Sequence, residues 1–555
     1  MLFLFGYLIT ATLLWSAVGH AAPPVVSPVV SPEAPVQTST ETAVAPLDFA
    51  GALQALNADN FTAKEQAINA LAALGDERTR VVLIAFQEGN LQYRKSDGKV
   101  VLVSEVAEGY QLTDPIEETD LGVVGKRDVK KITINNSLRR VLREAIARLS
   151  LTSERTDVRL TAVGELTGNL DAAAVALLER ARTTEQDAEI IAAIDTALAL
   201  SAVDSETPSV RLEAVAALQD SLLPAVRNRL SSVAESDANA EVKQAAARAV
   251  KSIETKLERY ALAETVFFGL SLGSVLLLAA IGLAITFGVM GVINMAHGEL
   301  IMIGAYTTYL VQQAMPQYLE YSMLVAVPAA FLAAGAFGIA IERGVIRFLY
   351  GRPLETLLAT FGISLVLQQL VRTTISAQNV TVANPEWMSG SWQINAALSL
   401  TYNRLYIVIF TLLVFAALLL LLKKSALGLH VRAVAQNRSM ARAMGIRTEW
   451  VDALTFGLGS GIAGVAGVAL SQLTNVGPNM GQAYIIDSFM VVVFGGVGNL
   501  WGALVGAFSL GVVNKFLEPY SGAVLAKILV LVFIILFIQK RPRGLFPQKG
   551  RAAES

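Results

Sequence analysis

The stretch ETVFFGLSLGSVLLLAAIGLAITFGVMGVINMAHGELIMIGAYTTYLV, residues 264–311, decides the fold. It holds two apolar runs separated by a polar knot, Asn294-Met295-Ala296-His297-Gly298-Glu299. The first run, Val266 to Val289, carries no charge and is long enough to cross a hydrocarbon core of ~30 Å. An ionised Glu299 at the bilayer centre would cost roughly 2.5 kcal/mol or more. A chain that keeps such a group at a membrane helix end either places it in water or uses it. Before this stretch, the extreme N-terminus aside, the chain reads as soluble. After it, the chain reads as membrane-embedded.

Composition agrees. Of 555 residues 54% are hydrophobic and only 16% charged, against ~25% charged in soluble globular domains. The length exceeds one ordinary domain. The formal charge of -2 says nothing about nucleic acid, but no basic nucleic-acid patch is present, so no nucleic-acid partner is expected. The absence of cysteine excludes disulfides, thiolate nucleophiles and cysteine metal sites. His20, His297 and His430 are too scattered for a metal cluster, so no metal is expected.

Residues 1–22 read as a signal peptide, with an apolar core and a small-residue cleavage pattern at Gly19-His20-Ala21. No Lys or Arg precedes the core, so an uncleaved anchor is the alternative. Residues 23–46, rich in Pro, Val, Ser and Thr, predict a disordered linker. Residues 47–260 form a mostly helical soluble region. Three helices restart alike, at Asp157-Val158-Arg159, Ser209-Val210-Arg211 and Glu241-Val242-Lys243. The pattern resembles HEAT-type repeats with irregular spacing; plain helical packing is the other reading. Lys99 to Ser104 and Val129 to Ile134 predict a small strand pair among the helices. A helical array of this kind offers a surface to a protein partner.

Residues 261–547 predict an all-α polytopic membrane domain of eight or nine segments, followed by a tail, 548–555. The apolar runs are 266–289, 298–313, 322–341, 354–374, 404–422, 450–472, 484–498, 500–517 and 521–538. Lys and Arg cluster in 342–355, in 423–450 and in the tail, which the positive-inside rule puts in the cytoplasm. Segment 375–403 has no Lys or Arg and carries Trp387 and Trp392, so it belongs outside. The crossings then alternate correctly if 47–260 also lies outside, in the periplasm. Glycine clusters at 457–467 and 495–511 permit close helix approach and helix breaks around a substrate path.

Three motifs carry a resemblance: GLSLGSVLLLAAIGLAITFGVMGVINMAHGELIMIGAY, VFGGVGNLWGALVGAFSLGVVN and the closing RPRGLFP. They resemble the permease subunits of the branched-chain amino acid type of ABC importer, over about residues 262 to 547. Within that family, a large exported N-terminal extension resembles the urea branch, whose permease pairs with a second, related permease. The resemblance implies import of urea or a short amide delivered by a periplasmic binding protein. A branched-chain amino acid substrate is the alternative. A channel, or a membrane scaffold with a partner-binding domain, are readings from other classes.

The chain lacks a GxxxxGK[ST] phosphate loop, so it is expected to be no enzyme and to hold no cofactor, with ATP hydrolysed by partner subunits. Gly428 to Ile446, GLHVRAVAQNRSMARAMGI, is the candidate ATPase-docking loop, with Gly428, Arg432, Arg438, Met444 and Gly445 as its marked positions. The resemblance implies that a short helix there enters the ATPase. Asn294, His297, Glu299, Thr360, Gln368, Gln369, Asp487, Asn499 and Asn514 are candidate substrate-path groups, because a neutral amide hydrogen-bonds such side chains without a counter-charge. Each has a structural alternative. Asn294 and Asn499 suit helix caps, His297 and Glu299 suit cytoplasmic water, and Asp487 suits the outer interface.

Overall fold

The computed structural model describes residues 48–546 except 75–76 and 107–108. The expected signal peptide (1–22), linker (23–46) and tail (548–555) lie outside the described residues. The chain divides into two compact units between Ser153 and Glu154.

The first unit begins with α1 (Phe49–Ala55), α2 (Phe61–Leu74) and α3 (Glu77–Glu88). Five strands follow: β1 (Leu91–Arg94), β2 (Val100–Val106), β3 (Gly109–Thr113), β4 (Asp120–Val124) and β5 (Val129–Lys131). The unit closes with α4 (Asn136–Leu151), started by Asn135, whose side chain accepts from Leu138 N. Leu53, Ile68, Leu71, Phe86, Leu138 and Leu142 form its core. The strand pair expected from sequence is corrected: the sheet has five strands in the order β4-β3-β2-β1-β5. β2 and β5 do not pair with each other but flank β1, with Tyr93 opposite Val100 on one side and Lys130 on the other. β1, β3 and β4 escaped notice because they are short and mix Gln92, Arg94, Gln111 and Asp120 among few β-branched residues.

The second unit opens with α5 (Thr156–Thr167), α6 (Ala172–Thr184), α7 (Ala188–Ala202), α8 (Pro208–Leu218), α9 (Pro224–Ser236) and α10 (Ala240–Met290). From Thr156 to Pro208, from Ala172 to Pro224 and from Ala188 to Ala240 the offset is 52 residues each time. The chain therefore repeats a three-helix element. Each copy is pinned the same way. Arg159 donates twice to Glu185 (2.8 and 3.2 Å), and Arg211 twice to Asp237 (2.9 and 2.9 Å). Such bidentate charged pairs fix geometry as well as energy. The starts at Asp157 and Ser209 occupy the same place in the repeat, whereas Glu241 opens a third helix, which explains the uneven spacing read from the sequence. α10 is one helix of 51 residues, ~76 Å long, and passes through the expected domain boundary at 260.

The membrane part continues with α11 (His297–Ala314), α12 (Ser322–Gly344) and α13 (Pro353–Thr374). A hairpin of β6 (Ser391–Asn395) and β7 (Leu398–Thr401) leads to α14 (Tyr402–Lys424). Then come α15 (Ala426–Gln436), α16 (Arg438–Ala443), α17 (Thr448–Ser471), α18 (Met480–Gly495) and α19 (Leu500–Lys540). α17 is buried along nearly its whole length between α10, α11 and α12. Backbones touch there: a Cβ on Gly304 would lie 2.0 Å from Gly464 O.

Six described helices are long and apolar enough to cross a membrane. The difference from the expected eight or nine lies in three places. α11 is weakened by polar ends, α18 has only 16 residues, and α19 is a single element with a break. That break falls at Gly522, whose φ of 76° and ψ of 159° are non-helical, just after Pro519. Gly502 and Gly506 meet Gly495 and Val491 of α18, so the first arm runs antiparallel to α18. Lys527 reaches Asp487 and Phe537 reaches Phe494 at 4.9 Å, so the second arm runs parallel to it. α19 is therefore a hairpin, not a ~62 Å rod.

Candidate functional site

The site is built on the break between α10 and α11. Gly291 closes α10 in the left-handed conformation (φ 67°), where glycine meets no Cβ penalty. Residues 292–296 are not helical. Asn294 turns its Oδ1 onto Ala296 N (3.0 Å), and His297 donates from Nε2 to Ala279 O (2.9 Å). Ala279 lies ~16 Å before the end of α10, so the break folds back into the bundle and α11 starts inside it. Discontinuous helices of this kind create polar positions at membrane depth.

Glu299, in the first turn of α11, accepts at Oε1 from Ser364 Oγ (2.9 Å) and Gln368 Nε2 (2.7 Å). Ser364 and Gln368 sit near the middle of α13. One turn earlier, Thr360 Oγ1 accepts from Met295 N (3.1 Å). Beyond them Arg372 donates to Asn479 Oδ1 (2.6 Å). The alternative that His297 and Glu299 face cytoplasmic water is corrected: they are 0% and 1% exposed. Three atoms of the cluster stay unpartnered among the described residues: Asn294 Nδ2, His297 Nδ1 and Glu299 Oε2. A buried polar atom without a partner is costly, and this cluster offers an amide donor and a carboxyl oxygen together.

The structure thus gathers Asn294, His297, Glu299, Thr360 and Gln368. It adds Ser364, which sequence reading missed. The signal was there: Thr356, Thr360, Ser364, Gln368 and Arg372 recur every fourth residue and share one helix face. The other candidates lie elsewhere. Gln369 points outward and is exposed. Asp487 is buried and ion-paired with Lys527 of α19 at 2.9 Å. Asn499 caps α19, accepting from Trp501 N and Gly502 N and donating to Phe546 O (3.2 Å). Asn514 is buried on α19, and among the described residues no hydrogen bond links it to Glu299.

The expected docking loop is two helices, α15 and α16, meeting at an extended Asn437. Three of its marked residues contact the neighbouring membrane helices. Arg432 binds Leu422 O at the end of α14. Gly428 lets α15 press on Leu422, where a Cβ would clash. Arg438 pairs with Asp452 of α17 and lies 3.9 Å over the Tyr350 ring. Gly445 is left-handed (φ 87°) and ends the turn. The outward face is mixed: Arg432, Ser439 and Arg442 are exposed, and so are two large apolar side chains, Met444 and, unnoticed in the sequence, Met440.

A multi-pass helical bundle with a discontinuous helix and a buried polar cluster is the architecture of a membrane transport protein. The family described as branched-chain amino acid transport system / permease component matches residues 265–538. The high-affinity branched-chain amino acid transport system permease protein LivH of Salmonella typhimurium is 33% identical over 291 residues, 51% of this chain and 94% of the relative. Its counterpart BraD of Pseudomonas aeruginosa is 32% identical over 287 residues, 50% of this chain and 93% of the relative. The ribose import permease protein RbsC of Escherichia coli is 29% identical over 227 residues, 39% of this chain and 68% of the relative. No solved structure matches. The chain belongs to the branched-chain amino acid type of ABC permease. It is a multi-pass inner-membrane transport subunit and not itself the ATPase.

Proposed function

We propose that this chain is a permease subunit of an ATP-driven importer for a branched-chain or similar apolar amino acid. The observation that carries the reading is the match to LivH and BraD over 94% and 93% of their lengths. This replaces urea, the leading expectation from sequence, which rested on the N-terminal extension alone and which nothing in the comparisons supports. The cluster at α11 is compatible in chemistry. Glu299 Oε2 is an acceptor for an ammonium group and Asn294 Nδ2 a donor to a carboxylate, the two ends of a zwitterion whose burial needs both charges met.

Cytoplasmic ATPase subunits, a second permease and a periplasmic binding protein complete the proposed importer. The face bearing Met440 and Met444 docks the ATPase. The N-terminal region lies in the periplasm and the C-terminus in the cytoplasm. Uptake of labelled leucine and urea in a deletion strain carrying the full importer tests the substrate. Leucine uptake that depends on this chain and resists excess urea supports the proposal; urea uptake that resists excess leucine overturns it. A reporter fused near Ser150 tests the topology, and cytoplasmic activity there would reverse it.

A further inference from the structure

An apolar furrow runs along the outside of the membrane bundle, with α12 and α14 as walls and α17 as floor. Two cavities of about 260 Å³ and about 440 Å³ share Val327 and Pro328 and so join end to end. Along α14 the furrow extends from Tyr406 to Leu421, ~22 Å at helical rise. That exceeds one leaflet's half of a ~30 Å hydrocarbon core. One end is marked by Trp387 and Tyr406, packed edge-on at 5.3 Å. Aromatic residues of this kind sit at the membrane–water boundary.

At that same end stands Gln472, only 5% exposed and lining the cavity. Its amide is oriented by a neighbour. Ser471 Oγ donates to Val468 O (2.7 Å), so it receives Gln472 Nε2–H (3.2 Å) as an acceptor. Gln472 Oε1 is left with no partner. A hydrocarbon slot with one buried acceptor at its interfacial end is complementary to an amphipathic rod carrying a donor beside its polar head.

We propose that this furrow is a binding site for a phospholipid, with one acyl chain between α12 and α14 and a donor-bearing headgroup hydrogen-bonded to Gln472 Oε1. Ethanolamine supplies N–H donors; choline, being quaternary, supplies none. The site therefore selects phosphatidylethanolamine over phosphatidylcholine. A single net hydrogen bond of ~1.4 kcal/mol corresponds to about tenfold in affinity.

The test uses the full-length chain, purified in detergent, equilibrated with equal amounts of the two lipids and examined by native mass spectrometry. Expected is retained phosphatidylethanolamine in about tenfold excess. Gln472→Leu, which removes a buried unpaired acceptor and so does not endanger folding, should bring the two lipids to parity with lipid still bound. Val327→Trp should fill the slot and lose both. Equal retention by the unsubstituted chain, an unchanged preference in Gln472→Leu, or no retained lipid overturns the site. The chain has no cysteine, so Leu324→Cys provides a single crosslinking position on the furrow rim in the assembled importer. Crosslinking to lipid supports the proposal, and exclusive crosslinking to another subunit overturns it.

Discussion

Gln368 donates from Nε2 to Glu299 Oε1 across 2.7 Å, tying the middle of α13 to the first turn of α11. α13 is otherwise lightly held. Only a third of its most apolar stretch is buried, and Leu354, Leu358 and Val366 stand exposed on its far side. Thr360, Ser364, Gln368 and Arg372 bond it to α11, to the α10–α11 break and to Asn479. The polar stripe thus both positions α13 and frames the candidate substrate group.

Glu299→Gln keeps the shape and both bonds to Oε1 while removing the ionisable carboxyl. If Glu299 meets a substrate ammonium, leucine uptake should fall by tenfold or more, because charged hydrogen bonds contribute about 1.5–3 kcal/mol. Glu299→Ala should lose transport altogether and loosen α13. Uptake assays with membrane insertion checked by immunoblot decide it. Full uptake in both variants would return Glu299 to a purely packing role.

Asp487 and Lys527 make a second test. Asp487 is buried on α18 and its partner comes from the returning arm of α19. Lys527→Met strips the buried Asp487 of its half-exposed partner and should destabilise by about 1–3 kcal/mol. Asp487→Asn combined with Lys527→Met should recover most of that. Thermal aggregation in detergent reads both. A double variant as unstable as the single one would show that the ion pair is not what joins α18 to α19.

How far the sequence revealed this arrangement depends on which interaction fixed each element. The membrane helices were legible because apolar runs near the bilayer thickness are a one-dimensional signal. Glu299 and Gln368 were legible as polar residues in apolar surroundings. Their meeting was not, because it requires α10 to end at Gly291 and the chain to fold back beside Ala279. Lys527 was hidden by the hairpin at Gly522, which brings two distant segments together. In the proposed docking loop, charge alone does not show which side chains face out. Arg438 carries the same basic signal as its neighbours, yet it pairs with Asp452 of α17, and the exposed methionines carry no charge signal.

The Arg438–Asp452 pair bears on what should be mutated to test ATPase docking. Met440→Asp and Met444→Asp place charge on the outward face without touching the Arg438–Asp452 pair. ATPase activity stimulated by the assembled importer should fall severalfold while the permease inserts normally. Gly445→Pro should be worse, since proline cannot take a φ of 87° and removes the N–H that donates to Arg442 O. Stimulation untouched in both methionine variants would move the docking face elsewhere.

The last expectation concerns acid. In the two three-helix repeats, the Arg159 guanidinium holds the Glu185 carboxyl below its usual range, and Arg211 does the same for Asp237. A carboxyl depressed in the folded state stabilises fully above its unfolded pKa, about 4, and loses that contribution as pH falls through the lower folded value. Protection of α5 to α9 against hydrogen exchange should therefore be flat from neutral pH to about pH 5 and decline below about pH 4, after correction for intrinsic rates. Arg211→Gln removes the charge that depresses Asp237 and should weaken the second repeat at neutral pH by about 1–3 kcal/mol. Its remaining acid sensitivity should shrink, while the first repeat behaves as before. A decline that begins near pH 6, or one unchanged in the second repeat of Arg211→Gln, would mean that other groups govern the acid response. Full-length protein in detergent suffices, with peptides from α17 as the internal reference because that helix lies within the membrane bundle.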